Sequence, residues 1–319
     1  MDAFLHLLIV ILFGFVEGIT EWLPVSSTGH LIVLEEWLSI SKFTSPEFYE
    51  LFEVVIQLGA ITAVIVTFFK KLWPFGANKT KEEKKATWKL WLNILIACVP
   101  AAIVGLLLDD FLDQYLYNFL TVSITLLVYG VAFVVIEYEM KIRETPLKKT
   151  DLQFLNWKDA LIIGLAQVLA LIPGTSRSGV TIIAALLLSY NRSTAAEFSF
   201  LLSIPVMVGA SLFKAVKFVV KGYSMPDNGI LYLAVGCLVA AVTSFFVIKF
   251  FLKLIRGRSF VGFGLYRIAL GSVLLILYFA LIMNAGTLPP ATSDVSELVS
   301  STSIALKNAK IGRLLMINR

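Results

Sequence analysis

Long apolar runs separated by short polar segments dominate the chain. Six of these runs carry no charged residue apart from Arg267 in the last one, and they cover residues 54–69, 90–108, 118–136, 198–213, 231–248 and 261–284. A helix that crosses a bilayer needs about 20 mostly apolar residues, and the shorter runs lie at the low end of the usable range. The pattern therefore predicts an all-α polytopic membrane protein with about six full transmembrane helices.

Two further apolar stretches are interrupted by proline and glycine. Residues 2–40 break at the sequence PVSSTGH (24–30), and residues 160–189 break at PGTS (173–176). A continuous helix would lose hydrogen bonds and stability at these positions. Non-helical backbone persists at membrane depth only where protein buries it or where it lines a cavity. Each stretch therefore predicts a re-entrant helix–loop–helix pair.

The two interrupted stretches resemble each other at a fixed offset of 150 residues. The matched pairs are Gly14 and Gly164, Glu17 and Gln167, Ser26 and Ser176, Thr28 and Ser178, Gly29 and Gly179, Ile32 and Ile182, with Gly59-Ala60 matching Gly209-Ala210 further on. Three predicted spans, an odd number, separate the copies, so the second copy must be inverted. We predict a first repeat at residues 1–150, an inverted second repeat at 151–285 and a polar tail at 286–319.

Basic residues between the runs predict the topology. Residues 70–89 hold seven Lys, 137–158 hold five Lys or Arg, 249–258 hold four, 214–228 hold three, and 109–117 hold none. The positive-inside rule assigns the first three of these segments to the cytoplasm. The first loop then enters the membrane from outside, the second enters from the cytoplasm, and their tips meet near the midplane. Inverted repeats with broken helices are also typical of secondary transporters.

A pair of carboxylates precedes the first loop. Glu17 and Glu21 are four residues apart, so they share one face of a helix. Ionisable groups inside a membrane are expensive and usually functional. Such a pair either shares a proton or holds a divalent cation, and hard oxygen ligands favour Mg²⁺ or Ca²⁺.

Three hydroxyls follow in the first loop, and they stand before a predicted helix N-terminus. They are Ser26, Ser27 and Thr28, followed by Gly29 and His30. A loop of this kind offers backbone N–H groups and a favourable dipole to an anion. His30 has the chemistry of a base, an acid or a nucleophile, and a serine beside a base is a candidate covalent nucleophile.

Arg177 in the second loop provides the strongest signal for an anion. It is the one charged residue in the stretch 160–189, and small or hydroxylated residues surround it: Thr175, Ser176, Ser178 and Gly179. A guanidinium within a membrane needs a counter-anion, and its fork matches a phosphate group. The alternative is a salt bridge from Arg177 to Glu17 or Glu21. We therefore predict a phosphate-binding site formed by both loops.

The net charge, the cysteines and Arg267 do not indicate a further functional site. The formal charge of +5 follows the topology, so it indicates no nucleic-acid partner. Cys98 and Cys237 lie inside predicted spans, so no disulfide framework is expected. Arg267 is interpreted as a structural residue or an interfacial anchor. The bilayer is the expected surrounding, and the interpretation allows a homo-oligomer.

Both loop motifs resemble those of a known family. EGITEWLPVSSTGH (17–30) and PGTSRSG (173–179) are similar to the two signature motifs of bacterial undecaprenyl-diphosphate phosphatases of the bacitracin-resistance type, and EFSFLLSIP (197–205) is similar to a further family segment. The resemblance covers residues 1–284. It implies a plasma-membrane enzyme that opens to the extracytoplasmic side and hydrolyses a polyprenyl diphosphate with a divalent cation. The product would be the lipid carrier recycled in peptidoglycan synthesis, and bacitracin resistance would follow.

The resemblance also implies roles for individual residues. Glu17 and Glu21 become the metal-linked acidic pair, Ser27 the nucleophile or a phosphate ligand, His30 the acid–base group or a rival nucleophile, and Arg177 the diphosphate clamp. Two other functions compete, namely a flippase for the lipid phosphate and a lipid-diphosphate-binding protein without turnover. The cluster of His, Ser and Glu favours chemistry, because moving an anion needs clamps but no nucleophile. Residues 286–319 depart from the family pattern, and we assign them no function.

Overall fold

The computed structural model describes residues 2–142, 147–255 and 258–284, and helices make up nearly all of these ranges. The helices are α1 (Asp2–Thr20), α2 (Ser27–Leu38), α3 (Pro46–Leu72), α4 (Lys81–Tyr115), α5 (Phe119–Ile142), α6 (Trp157–Gln167), α7 (Arg177–Leu187), α8 (Arg192–Val220), α9 (Gly229–Leu254) and α10 (Val261–Asn284). No β-strand occurs within the described ranges, where one isolated bridge joins Lys149 to Tyr190. The predicted tail at 286–319 lies outside them.

Seven of the described helices are long and apolar enough to cross a membrane, which confirms a polytopic all-α membrane protein. They are α1, α3, α4, α5, α8, α9 and α10. Each of the six predicted runs lies in one of these helices. The addition is α1, whose 19 residues reach the length of a span although it belongs to the first interrupted stretch. Its counterpart α6 has 11 residues and is too short.

Both interrupted stretches fold as helix–loop–helix pairs, α1 with α2 and α6 with α7. The spans α3 and α4 start earlier than their apolar runs because capping residues begin these helices. Ser45 caps α3, its side chain accepting from the amide of Phe48, and Pro46 occupies the first turn. Thr80 and Glu83 form a capping box at the start of α4. The segment 109–117, which separates two apolar runs, is mostly helical, since α4 continues through Tyr115.

Equivalent helices of the two halves pack antiparallel. In the pair of α5 and α10, Phe119 contacts Tyr278 and Glu137 accepts a hydrogen bond from the amide of Phe260. In the pair of α3 and α8, the contacts are Ser211 with Val54 and Glu197 with Lys71. A helix packs antiparallel against its own counterpart when a two-fold axis runs perpendicular to both. This is the arrangement of inverted repeats, although the division of the chain at residue 150 stays a prediction.

Each helix–loop–helix pair is anchored on a long helix of the other half through a glycine. A methyl group built at Gly14 of α1 would lie 2.6 Å from the carbonyl oxygen of Gly236 in α9. One at Gly164 of α6 would lie 2.4 Å from the carbonyl oxygen of Ala97 in α4. Small residues allow such close backbone approach between membrane helices. The two pairs are thereby held in equivalent positions.

The packing of α3 on α9 yields a stability prediction. A methyl group at Gly59 would lie 2.2 Å from the carbonyl oxygen of Cys237, whereas its counterpart Gly209 in α8 has no atom within 4 Å. We expect Gly59→Ala to destabilise the fold by about 1–3 kcal/mol through overpacking. Gly209→Ala should leave stability unchanged or slightly higher, since alanine favours a helix. Thermal unfolding of both variants in detergent tests this, and equal Tm values would contradict it.

Candidate functional site

The two loops share an unusual backbone conformation. Ser26 and Ser176, which precede α2 and α7, have φ angles of 74° and 75°. Each side chain accepts a hydrogen bond from the amide three residues on, at Gly29 (3.2 Å) and Gly179 (3.1 Å). A non-glycine residue in this region of φ costs about 1–3 kcal/mol, and such strain clusters at functional sites. The sequence match of the two loops therefore extends to their detailed geometry.

Arg267 of α10 connects the two loops through hydrogen bonds to their backbones. Its guanidinium is fully buried and donates to the carbonyl oxygens of Pro24 (3.2 Å), Gly174 (2.7 Å) and Thr175 (3.0 Å). One side chain in α10 thus satisfies backbone acceptors of both loops, which would otherwise be unpaired inside the protein. Its interpretation as a structural residue is confirmed.

A cavity of about 460 Å³ lies where the loops meet, and most predicted site residues line it. The predicted residues on its wall are Glu21, Ser26, Ser27, Thr28, Ser176, Arg177 and Ser178. Glu17, Gly29, His30, Thr175 and Gly179 lie outside the lining. The N-termini of α2 and α7 both border this space, so an anion here would meet two favourable helix dipoles.

Glu21 forms the centre of the site. Ser27 Oγ donates to Glu21 Oε2 at 2.5 Å, and Arg177 Nη2 donates to Glu21 Oε1 at 2.8 Å. Arg177 Nη1 donates to the carbonyl oxygen of Ser199 (2.7 Å), and its Nε is buried without a partner. The salt bridge considered as an alternative is therefore present, and its carboxylate is Glu21 rather than Glu17. The hydroxyl of Ser27, the carboxylate of Glu21 and a guanidinium with one unpartnered N–H, that of Arg177, therefore lie together at one wall of the cavity.

His30 is directed elsewhere. Its Nδ1 lies 2.7 Å from the carbonyl oxygen of Ser26, and its Nε2 lies 2.7 Å from Tyr266 Oη. Because a carbonyl only accepts, Nδ1 carries the proton and Nε2 of the neutral ring accepts from the tyrosine. The imidazole and the Tyr266 ring also stack. In this conformation the base nitrogen of His30 is occupied by Tyr266, not by Ser27.

Glu17 is enclosed behind the cavity wall. Its side chain is fully buried, and neither carboxylate oxygen has a hydrogen-bond partner. Two orphaned oxygens next to Glu21 fit a bound cation or a proton. Within the part of the chain that the structure describes, no three His, Cys, Asp or Glu side chains converge to hold a metal. A cation here would complete its coordination with oxygens from a ligand or water.

The sequence predictions missed several cavity residues, among them Tyr49, Glu50, Glu53 and Tyr117. Tyr117 Oη donates to the buried carboxylate of Glu53 at 2.5 Å. Burial, and then the charge of Glu53, raise the pKa of Tyr117 well above its usual value, so this phenol remains a donor. The Ser-Pro pair at 45–46 was the available signal, because a helix starting there already contains Glu50 and Glu53.

One end of the cavity is lined by ion pairs. Lys214 of α8 pairs with Asp113 and lies 3.4 Å from Asp109 and 3.7 Å from Glu50. Lys217 continues the network with Asp109 at 2.5 Å. A second cavity of about 390 Å³ begins beyond Lys214, Asp113 and Glu50, which line both spaces. This end is therefore polar and charged.

Comparison with known proteins agrees with this arrangement. The family model described as "Bacitracin resistance protein BacA" matches residues 10–273. A protein of Enterococcus faecalis named undecaprenyl-diphosphatase is 52% identical over 272 residues, which are 85% of this chain and 97% of that protein. Proteins with the same name from Streptococcus thermophilus (48% identical; 85% of this chain, 93% of that protein) and Acetivibrio thermocellus (48%; 86% and 98%) are also similar. The chain belongs to the bacitracin resistance protein BacA family.

Proposed function

We propose that this multi-pass membrane protein is a phosphatase that hydrolyses undecaprenyl diphosphate to undecaprenyl phosphate and inorganic phosphate. The observation that carries this proposal is the contact of Ser27 and Arg177 with one carboxylate, Glu21, at a cavity between two helix N-termini. The names of the most similar relatives support the substrate. The product is the cell-wall lipid carrier, and its regeneration confers bacitracin resistance.

Substrate binding turns Arg177 from Glu21 towards the diphosphate. The guanidinium already has one N–H without a partner, and its fork suits two phosphate oxygens. Amides at the starts of α2 and α7, with Ser26, Thr28, Ser176 and Ser178, provide further donors. Gly29, Thr175 and Gly179 hold the loop backbones from outside the cavity lining. After Arg177 has turned to the phosphate, Glu21 Oε2 still accepts the hydrogen bond of Ser27 and is placed to take its proton.

Ser27 then attacks the terminal phosphorus. Its proton passes to Glu21 Oε2, an Oγ–P bond forms, and the bond from phosphorus to the bridging oxygen breaks. Glu21 returns the proton to the departing lipid phosphate. A water molecule, deprotonated by the same carboxylate, then attacks the phosphorus of the phosphoserine. The Oγ–P bond breaks, Glu21 returns the proton to Ser27 Oγ, and inorganic phosphate leaves. Positioning and charge stabilisation account for most of the catalysis in phosphoryl transfer. His30 supports the loop through Ser26 and Tyr266 in this mechanism.

We further propose that a divalent cation, Mg²⁺ or Ca²⁺, assists with Glu17 and Glu21 as its protein ligands. The unpartnered oxygens of Glu17 support this assignment. The cation would neutralise charge on the diphosphate. We also propose that the cavity opens to the extracytoplasmic side, which the distribution of Lys and Arg supports. A homo-oligomer stays a prediction.

The test is phosphate release by the purified chain in detergent. We expect undecaprenyl diphosphate to yield one inorganic phosphate per lipid, a chelator to abolish the activity, and Mg²⁺ or Ca²⁺ to restore it. Glu17→Gln should raise the cation concentration needed for half-maximal activity. Absence of turnover by the wild type at every cation concentration would overturn the function. Full turnover in chelator would overturn the cation alone.

A further inference from the structure

The two halves of the molecule differ at one helix contact. The helix α3 of the first half packs tightly on α9 of the second half through Gly59, against the backbone of Cys237. The two-fold relation places α8 against α4 in the same way, with Gly209 in the position of Gly59. A methyl group built at Gly209 would have no atom of another helix within 4 Å, and the residue is exposed. The close contact between α3 and α9 therefore has no equivalent at Gly209 between α8 and α4.

The open contact is continuous with the cavity of Glu21 and Arg177. Ala210, next to Gly209, is exposed and also lines that cavity. Val206 of α8 and Ala101 of α4 line the cavity too. Leu171, another lining residue, approaches α4 at Gly105. Between α4 and α8 there is thus a space lined by the apolar residues Ala101, Leu171, Val206 and Ala210, and it borders the exposed Gly209 of α8. We call this space the α4–α8 gap.

The other cavities fit a hydrocarbon chain less well or do not reach the site. The end of the cavity that Lys214, Asp113 and Glu50 line is charged, so it favours polar groups such as water and phosphate. An apolar cavity of about 420 Å³ near Tyr266 shares no lining residue with the cavity of Arg177. A substrate with its diphosphate on Arg177 can therefore place its apolar part in the α4–α8 gap, which belongs to the same cavity.

We infer that the α4–α8 gap is the binding site for the polyprenyl chain, through which the lipid enters sideways from the bilayer. This inference rests on the proposed function. Apolar side chains line the gap, so burial of the chain contributes affinity in proportion to the area removed from water. The diphosphate stays at the loops while the chain passes Ala101, Val206 and Ala210 and leaves beside Gly209. Chain length is then read in the gap, away from the reacting phosphorus.

Photo-crosslinking tests the position of the chain without requiring turnover. The photoreactive residue p-benzoylphenylalanine replaces Gly209 or, as a control, Val242, which is 53% exposed on α9. Irradiation with radiolabelled undecaprenyl diphosphate should label the position-209 protein several-fold more, and unlabelled lipid should remove that excess. Equal labelling at both positions would overturn the inference. Specific labelling with no phosphate release by the wild type would overturn the proposed function instead.

Kinetics supply the second measurement. Gly209→Trp fills free space, so the fold should tolerate it, and Val242→Trp at an exposed position of α9 is the control. We expect Gly209→Trp to raise the apparent KM for undecaprenyl diphosphate about tenfold, with kcat little changed, since part of the chain loses its buried contacts. Farnesyl diphosphate, whose chain is much shorter, should be affected less. An equal loss with both substrates, or no difference from Val242→Trp, would contradict the assignment.

Discussion

Ser27→Ala is expected to lower kcat for undecaprenyl diphosphate by roughly a thousandfold or more, because it removes the attacking oxygen. The hydroxyl is 2.5 Å from Glu21 Oε2, so the variant loses both the nucleophile and the hydrogen bond that positions it. Apparent KM should change little, since Arg177 and the loop amides bind the diphosphate. Steady-state phosphate release in detergent measures both constants.

The control for Ser27→Ala is Ser123→Ala. Ser123 is also fully buried, but its hydroxyl donates to Phe119 within α5, away from the cavity. This variant should keep the wild-type kcat.

Trapping the intermediate separates Ser27 from His30. Wild-type protein is mixed with substrate radiolabelled in its terminal phosphate, and one half is quenched in acid, the other in detergent at mildly alkaline pH, where phosphohistidine survives. An acid-stable label on Ser27 is expected, and His30→Ala should still form it, because the imidazole contacts Ser26 and Tyr266 instead of lining the cavity. An acid-labile phosphohistidine at position 30, or normal turnover by Ser27→Ala, would refute serine as the nucleophile.

Arg177→Lys should reduce kcat/KM by roughly a hundredfold to a thousandfold, since an ammonium cannot replace the bidentate fork on two phosphate oxygens. Lysine keeps the positive charge beside Glu21, so the buried carboxylate remains partly compensated. Arg177→Ala would remove that charge, and breaking a buried pair costs about 3–5 kcal/mol of stability. The lysine variant is therefore the cleaner test of catalysis.

Arg192→Lys is the control, because a second Arg–Glu pair joins a partly exposed guanidinium to the buried carboxylate of Glu137. Arg192 donates to Glu137 through Nε (3.0 Å) and Nη2 (2.6 Å), and it lies outside the cavity lining. Its replacement should lower Tm while the folded fraction keeps its kcat/KM. Equal kinetic losses in Arg177→Lys and Arg192→Lys would show that Arg177 acts through stability rather than through the phosphates.

Most of the helical architecture could be predicted because its causes are local in the chain. Bilayer thickness sets the length of an apolar run, and proline and glycine interrupt a helix wherever they stand. The six predicted runs and the two broken stretches follow from these constraints. Helix ends were less accurate where polar residues continue a helix beyond the apolar run. Residues 46–53 of α3 and 109–115 of α4 are the two examples, and both segments contribute carboxylates to the cavity or its mouth.

The motifs also identified the chemical groups of the site before any contact was known. Glu21, Ser27 and Arg177 were singled out because a membrane interior makes charged and hydroxylated residues costly unless they have a function. Spacing along the chain could not decide which carboxylate Arg177 meets, since Glu17 and Glu21 occupy the same helical face. It also assigned His30 to the neighbourhood of Ser27, whereas the imidazole turns towards Tyr266, a residue far away in sequence.

The chain by itself determined two broken loops of related sequence, one with carboxylates and hydroxyls and one with the arginine. Only the tertiary structure decided that Glu21 accepts from both Ser27 and Arg177, that Arg267 joins the loops, and that α8 lacks the close neighbour that α3 has. The physical reason is that hydropathy and backbone hydrogen bonding act over a few neighbouring residues. The meeting of side chains depends on how helices rotate and pack, and distant parts of the chain set that together.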